Sequence, residues 1–196
     1  TFPTWRLRSA QQQFDAAASV ATVSTALRHA LTARNLVRDK QVRVLYNTVD
    51  SKFFYLPPSP RSTTRFSFLA ITNFYPAKQT PHLIRAFSRA FSHSSGVQLV
   101  IVGDGPERSY CEDLTVQLGL QSKIRFVGAL TRTQVRDALW NANAFVLSSR
   151  RETFGIVLIE AMATGLPILA TASGGPEDIV TRTVGRLAPS DNVEAL

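Results

Sequence analysis

The chain has 196 residues, 44% apolar and 18% charged, with a single Met and a single Cys. That is the profile of an ordinary globular protein with room for one generous domain, or one domain and part of a second. The lone Cys111 has no internal disulfide partner, which fits a reducing compartment and a cytoplasmic location, and no apolar run approaches the roughly 18–20 residues that cross a bilayer.

Net charge is +8, and about +5 of it lies in residues 1–52, where Arg6, Arg8, Arg28, Arg34, Arg38, Lys40, Arg43 and Lys52 outnumber Asp15, Asp39 and Asp50. Such an excess is either a solvated surface or a face that draws phosphates, including those of an anionic membrane at which the protein would sit peripherally. Basic residues are not interleaved with aromatics and no zinc-ligand spacing occurs, so nucleic acid is not an expected partner. The opening T-F-P-T-W-R-L-R-S-A-Q-Q-Q-F lacks the basic flank and apolar core of a secretory signal. With no Met at position 1 and a closing V-E-A-L that stops as a helix begins, both ends are expected to be cut.

Residues 19–24 (S-V-A-T-V-S) read as a short strand, followed by an Ala/Leu/Arg helix to about Asn35, and the β-branched run 42–47 ends in a turn at Asn47-Thr48. Residues 56–64 (L-P-P-S-P-R-S-T-T) have linker composition. They separate residues 1–55, expected to be the end of one domain with its interdomain segment, from a second domain at 65–196. There the pattern alternates: strands at 65–71, 97–103, 123–128, 144–149 and 167–172, helices at 80–92, 107–119, 131–142 and 154–165, and a further helix opening at P-E-D-I-V. The 97–103 run V-Q-L-V-I-V-G is apolar apart from Gln98, as in a strand buried on both faces of a parallel sheet. The rhythm predicts right-handed βαβ units and an α/β, Rossmann-like open parallel sheet with helices on both faces. Ligands of such sheets bind beyond the carboxyl ends of the strands, at a reversal of strand order. The loops after Gly103, Gly128, Ser149 and Ala172 are therefore the ones to inspect.

The loop after the 144–149 strand reads S-S-R-R-E-T-F-G and runs into I-V-L-I-E-A-M-A-T-G-L-P, so Glu152 and Glu160 stand on either side of a helix start near Phe154. The first helical amides have no partners within the helix and carry the positive end of its dipole, an anion site suited to a diphosphate. Gly155 admits close approach. Glu160, between Ile159 and Ala161, needs a polar partner if it is buried. The plainer reading makes Glu152 a helix-terminal charge and Glu160 a surface residue.

The stretch E-T-F-G-I-V-L-I-E-A-M-A-T-G-L-P-I-L-A-T-A-S-G-G-P-E-D-I-V resembles the donor-site signature of the retaining family 4 glycosyltransferases of GT-B fold. V-L-Y-N-T-V-D at 44–50, G-D-G-P-E-R at 103–108 and F-V-G at 126–128 extend the resemblance over nearly the whole chain from about residue 19. It implies a GT-B C-terminal domain that binds a nucleoside-diphosphate sugar. It also implies transfer of the sugar, with retention, to a glycan or lipid acceptor held by the other domain, without a cofactor or obligatory metal. Glu152 would then contact hydroxyls of the transferred sugar and Glu160 the ribose, with the backbone of Phe154, Gly155, Ile156 and Val157 at the sugar and diphosphate. Lys78 matches the Lys that pairs with the diphosphate; taken alone it is a solvated loop residue. The family's usual Arg five residues earlier is Asn73 here, which donates hydrogen bonds but brings no charge, so Arg150 or Arg151 is a candidate replacement.

Gly103 and Asp104 open a loop expected to border the nucleotide, although Arg108 replaces the third Gly of a dinucleotide fingerprint; a tight structural turn is the alternative. Gly128 and Leu130 would offer backbone to the base edge, and Gly174 and Gly175 a close-approach turn, with simple turn chemistry as the alternative. His29, His82 and His93 are isolated. A nucleotide-sugar epimerase and a non-catalytic nucleotide-sugar-binding module are the rival functions.

Overall fold

The computed structural model describes residues 4–37, 42–61 and 64–196. The first part holds helix α1 (Thr4–Ala16), strand β1 (Val20–Thr22), helix α2 (Thr25–Ala33) and strand β2 (Val42–Val44). β1 and β2 pair in parallel as a separate two-stranded sheet. Ser24 starts α2 by accepting from the Leu27 amide at 3.1 Å, which satisfies one of the amides a helix start leaves open.

The remainder is β3 (Phe66–Ile71), a 3-10 turn at Pro76–Lys78, α3 (Thr80–Phe91), β4 (Val97–Val102), α4 (Arg108–Gln117), β5 (Ile124–Gly128), α5 (Arg132–Trp140), β6 (Ala144–Leu147), α6 (Ile156–Ala163), β7 (Ile168–Ala172), α7 (Pro176–Ile179) and β8 (Gly185–Pro189). The strands form one six-stranded sheet in the order β5-β4-β3-β6-β7-β8, parallel throughout. The predicted doubly covered parallel sheet is thus observed. β4 and β6 read as apolar runs because both faces are covered: Leu99, Ile101 and Val146 pack with Leu83, Ile84 and Phe87 of α3 and Leu114 of α4. On the other face Val100, Phe145 and Leu147 pack with Leu139 of α5 and Leu158 and Ala161 of α6. Cys111 is fully buried in the first of these layers, and burial, reinforced by Glu107 and Glu112, pushes its thiol pKa up to about 12; it is a packing residue rather than a nucleophile.

Elements absent from the sequence expectation are α1, whose sequence is mostly polar, and β8, whose Gly and Pro read as loop. β8 is an edge strand paired only with β7, where a terminal Pro189 is tolerated. α6 begins at Ile156, two residues later than expected, because Gly155 takes a left-handed conformation (φ 95°) as its cap. The described part of the expected linker is anchored. Phe54 just before it is 1% exposed within the second layer, the Tyr55 carbonyl accepts from Trp140 Nε1 at 2.7 Å, and Arg61 donates to the Thr164 carbonyl.

The strand order sets the site. The chain winds outward from β3 through β4 to β5, then returns to the other side of β3 at β6 and winds away through β7 to β8. The loops after β3 and β6 therefore diverge to opposite faces and leave a crevice between them.

Candidate functional site

That crevice is a cleft of about 390 Å³. The loop after β3 contributes Thr72, Asn73 and Lys78, the loop after β6 contributes Glu152, Thr153, Phe154 and Gly155, and the first turn of α6 contributes Ile156 and Val157. Asn47, from the segment following β2, closes one side. Lys78, Asn73, Glu152 and residues 154–157, predicted as site residues from the sequence, are thus brought together.

Local structure fixes the charged pair. Tyr75 accepts from the Lys78 amide at 2.8 Å, and the Lys78 carbonyl accepts from Ser148 Oγ at 2.9 Å. The Arg150 amide donates to the Ala77 carbonyl at 2.7 Å, tying the loop after β6 to the loop after β3. Gln79 is left-handed (φ 49°), and its side chain donates to Asp191. Glu152 is held through its backbone: its amide donates to the Ser173 carbonyl at 2.9 Å and its carbonyl accepts from the Gly175 amide at 2.8 Å. Between these supports Lys78 Nζ lies 2.6 Å from Glu152 Oε2, with the side chains 24% and 13% exposed, and Ser149 Oγ donates to the same oxygen at 3.4 Å. Among the described residues no group accepts from the Ile156 or Val157 amide, whereas the Leu158 amide donates to the Gly155 carbonyl. The cleft thus combines a cation, a carboxylate and an open helix start, which suits a ligand carrying an anion beside hydroxyls.

The other predicted residues surround the cleft without lining it. Glu160 lies one turn further along α6, on the side of Ile156 and Val157. It is half-buried, and burial raises its pKa while Arg132 opposes the rise. Gly103 donates its amide to the Gly128 carbonyl at 2.8 Å, joining the loops after β4 and β5, and a side chain at Gly103 would run into the Thr72 carbonyl. Asp104 accepts from the Gly105 amide and pairs with Arg108 at 3.3 Å. Leu130 is half-buried against the core. Gly174 and Gly175 back the cleft wall: a Cβ at Gly174 would lie 2.8 Å from the Glu152 carbonyl oxygen, and Gly175 abuts Phe154. Arg150, a candidate replacement for the missing Arg, is committed to Asp191 at 2.9 Å and does not line the cleft; neither does Arg151. Sequence reasoning passed over Asn47 and Thr72 as cleft residues, because only the strand order brings them there. Among the described residues there is no group of three or more His, Cys, Asp or Glu able to hold a metal ion, and no helix is long and apolar enough to cross a membrane.

A doubly wound parallel sheet with its cleft at the reversal of strand order, walled by a helix start, defines a Rossmann-like α/β domain of the GT-B type. The chain belongs to the glycosyl transferases group 1 family, which it matches over residues 52–196. Among curated relatives it is 29% identical over 86% of its length to the phosphatidylinositol N-acetylglucosaminyltransferase gpi3 subunit of Schizosaccharomyces pombe, covering 37% of that protein. It is 27% identical over 81% of its length to the N-acetyl-alpha-D-glucosaminyl L-malate synthase of Bacillus anthracis, covering 43% of it. The chain therefore spans about two fifths of the length of these relatives. Among solved structures, Anabaena HepE in complex with UDP and glucose superposes with a TM-score of 0.87 at 24% identity, over 99% of this chain and 56% of that one. Sucrose-phosphate synthase from Thermosynechococcus elongatus gives 0.84 at 25% identity, over 98% and 50%.

Proposed function

We propose that this chain carries the donor side of a retaining glycosyltransferase, which takes a sugar from a nucleoside diphosphate and passes it to a glycan or lipid-linked acceptor. In this reading residues 1–55 close an acceptor-side domain and residues 65–196 hold the donor. The observation that carries it is the pairing of Lys78 with Glu152 across a cleft walled by the open amides of Ile156 and Val157. When the bond from the anomeric carbon to the phosphate oxygen breaks, both electrons leave with the diphosphate. Negative charge then grows beside Lys78 and the α6 amides, while positive charge grows on the sugar beside Glu152. No metal is needed if Lys78 and the amides offset the phosphate charge. Glu160, on the same side of α6 but outside the cleft lining, would contact the ribose in this reading.

The relatives named above carry N-acetylglucosaminyl groups in their names, so that sugar heads the donors to test. Calorimetric titration of the chain with UDP, GDP and ADP, and with UDP-N-acetylglucosamine, UDP-glucose and GDP-mannose, in EDTA, should find one nucleotide that binds. Lys78→Ala should weaken it by about 2 kcal/mol, roughly thirtyfold in Kd. Turnover by the chain alone should be undetectable. Binding of none of these nucleotides, or equal binding by Lys78→Ala, would refute the reading. A non-catalytic binding module is the second reading, favoured by Asn73: among the described residues lining the cleft, Lys78 is the one cation. If Asn73→Arg in the full-length protein yields no transfer, the module is favoured.

A further inference from the structure

The turn behind the cleft is a two-sided clamp. On its inner side the Ser173 carbonyl and the Gly175 amide hold the amide and carbonyl of Glu152, at 2.9 and 2.8 Å. On its outer side the amides of Ser173 and Gly174 both point at one carboxylate: Glu177 Oε2 accepts from Ser173 at 3.1 Å and from Gly174 at 2.9 Å, and Glu177 Oε1 lies 3.2 Å from the Gly174 amide. Gly174 (φ 118°) supplies the backbone turn that aims its own amide outward while the next amide points inward. Pro176, with no N–H, opens α7, and Glu177 follows in its first turn, so its carboxylate folds back over the preceding amides. Charge-assisted bonds of this kind are shorter and about twice as strong as neutral ones.

We propose that Glu177 is a positioning residue for Glu152: it sets the direction of the Ser173–Gly174 turn, and through that turn the placement of the carboxylate that pairs with Lys78. The inference rests on the donor-site reading, in which Glu152 meets the sugar and Lys78 the diphosphate. Glu177 itself touches neither Lys78 nor the cleft. Its loss therefore acts on the sugar half of the ligand and spares the diphosphate half.

The test compares Glu177→Gln, Glu177→Ala, Glu152→Ala and the double variant Glu152→Ala/Glu177→Ala, each titrated with UDP-N-acetylglucosamine and with UDP. Glu177→Ala should lower affinity for the nucleotide sugar about tenfold, the scale of a sub-ångström misplacement, while UDP binding stays unchanged. Glu177→Gln, which keeps an acceptor oxygen, should lose less. In the Glu152→Ala background the Glu177 substitution should have no further effect. A ligand-free measurement stands beside these: hydrogen exchange at the Gly175 amide should be about tenfold faster in Glu177→Ala and less accelerated in Glu177→Gln. The proposal is overturned if Glu177→Ala weakens both ligands equally, if its effect survives without Glu152, or if Gly175 exchange is unaltered. If Glu152→Ala leaves the preference for nucleotide sugar over UDP intact, the donor-site reading itself fails. The Gly175 exchange result then still reports whether Glu177 holds the turn.

Discussion

Gly175→Ala isolates steric cost from backbone strain at the wall of the cleft. Gly175 has φ −64° and ψ −38°, which any residue adopts, so the added methyl carries no conformational penalty of its own. That methyl would nevertheless sit 2.5 Å from both the amide nitrogen and the carbonyl oxygen of Phe154, and closer still to its Cα. Carbon contacts prefer about 3.5–4.0 Å, so the two backbones must part by roughly 1 Å. No side chain can swing away to absorb this, because the opposing atoms are main chain and Phe154 is only 3% exposed. Overpacking a well-filled site costs about 1–3 kcal/mol, and a backbone clash belongs at the upper end. For a chain of this size that lowers Tm by roughly 5–10 °C. Urea unfolding should show a lower midpoint at unchanged slope. Gly96→Ala is the control: nothing lies within 4 Å of its added methyl, and its midpoint should match that of the parent protein. If Gly175→Ala unfolds with the Gly96→Ala midpoint, the clamp behind Glu152 has slack, and the reasoning built on its tightness is wrong.

Glu160→Gln should stabilise the protein at neutral pH. Burial raises the Glu160 pKa in the folded state above its unfolded value, so the ionised group costs stability above that folded value and the cost vanishes below the unfolded carboxylate range. Melting curves should therefore place Glu160→Gln above the parent near pH 7 and converge with it near about pH 4. A gap that widens on acidification would contradict the sign. Asp178→Ala removes the acceptor of the Thr25 amide, a 2.6 Å bond between α7 and the start of α2. It should cost about 1 kcal/mol, as lost helix-start caps do, and speed limited proteolysis within α2. An unchanged cleavage rate would mean that Ser24 alone holds that start.

Burial on both sides made the sheet legible. β4, apart from Gln98 near its start, and β6 have no polar face to show, so their apolar runs read as central strands, and the alternation with helices followed. Boundaries failed where apolar residues continue through a loop: Phe154 reads as the first residue of a helix but is a buried wall residue, and the helix waits for the left-handed Gly155. The loops flagged after Gly103, Gly128, Ser149 and Ala172 omitted the one after β3, since adjacency of β3 and β6 is a property of strand order that no local pattern encodes. Lys78 was reached through family resemblance instead. Long-range pairs were likewise out of reach. Arg150 as a replacement cation was a reasonable expectation from charge and position, yet Asp191, on the turn after β8, engages it. Glu177 stands in the first turn of the helix that opens at P-E-D-I-V, but its backward reach to Gly174 depends on turn geometry that no local pattern encodes.

The 2.6 Å contact between Lys78 and Glu152 makes each the other's counterion. A small free anion such as inorganic phosphate must compete for Lys78 with Glu152, a carboxylate 13% exposed that has Lys78 as its counterion. A molecule bearing both a phosphate and neighbouring hydroxyls replaces both halves of the contact at once. In the proposed donor-site reading the pair would disfavour small free anions and favour a ligand that brings a phosphate and hydroxyls together at the right separation.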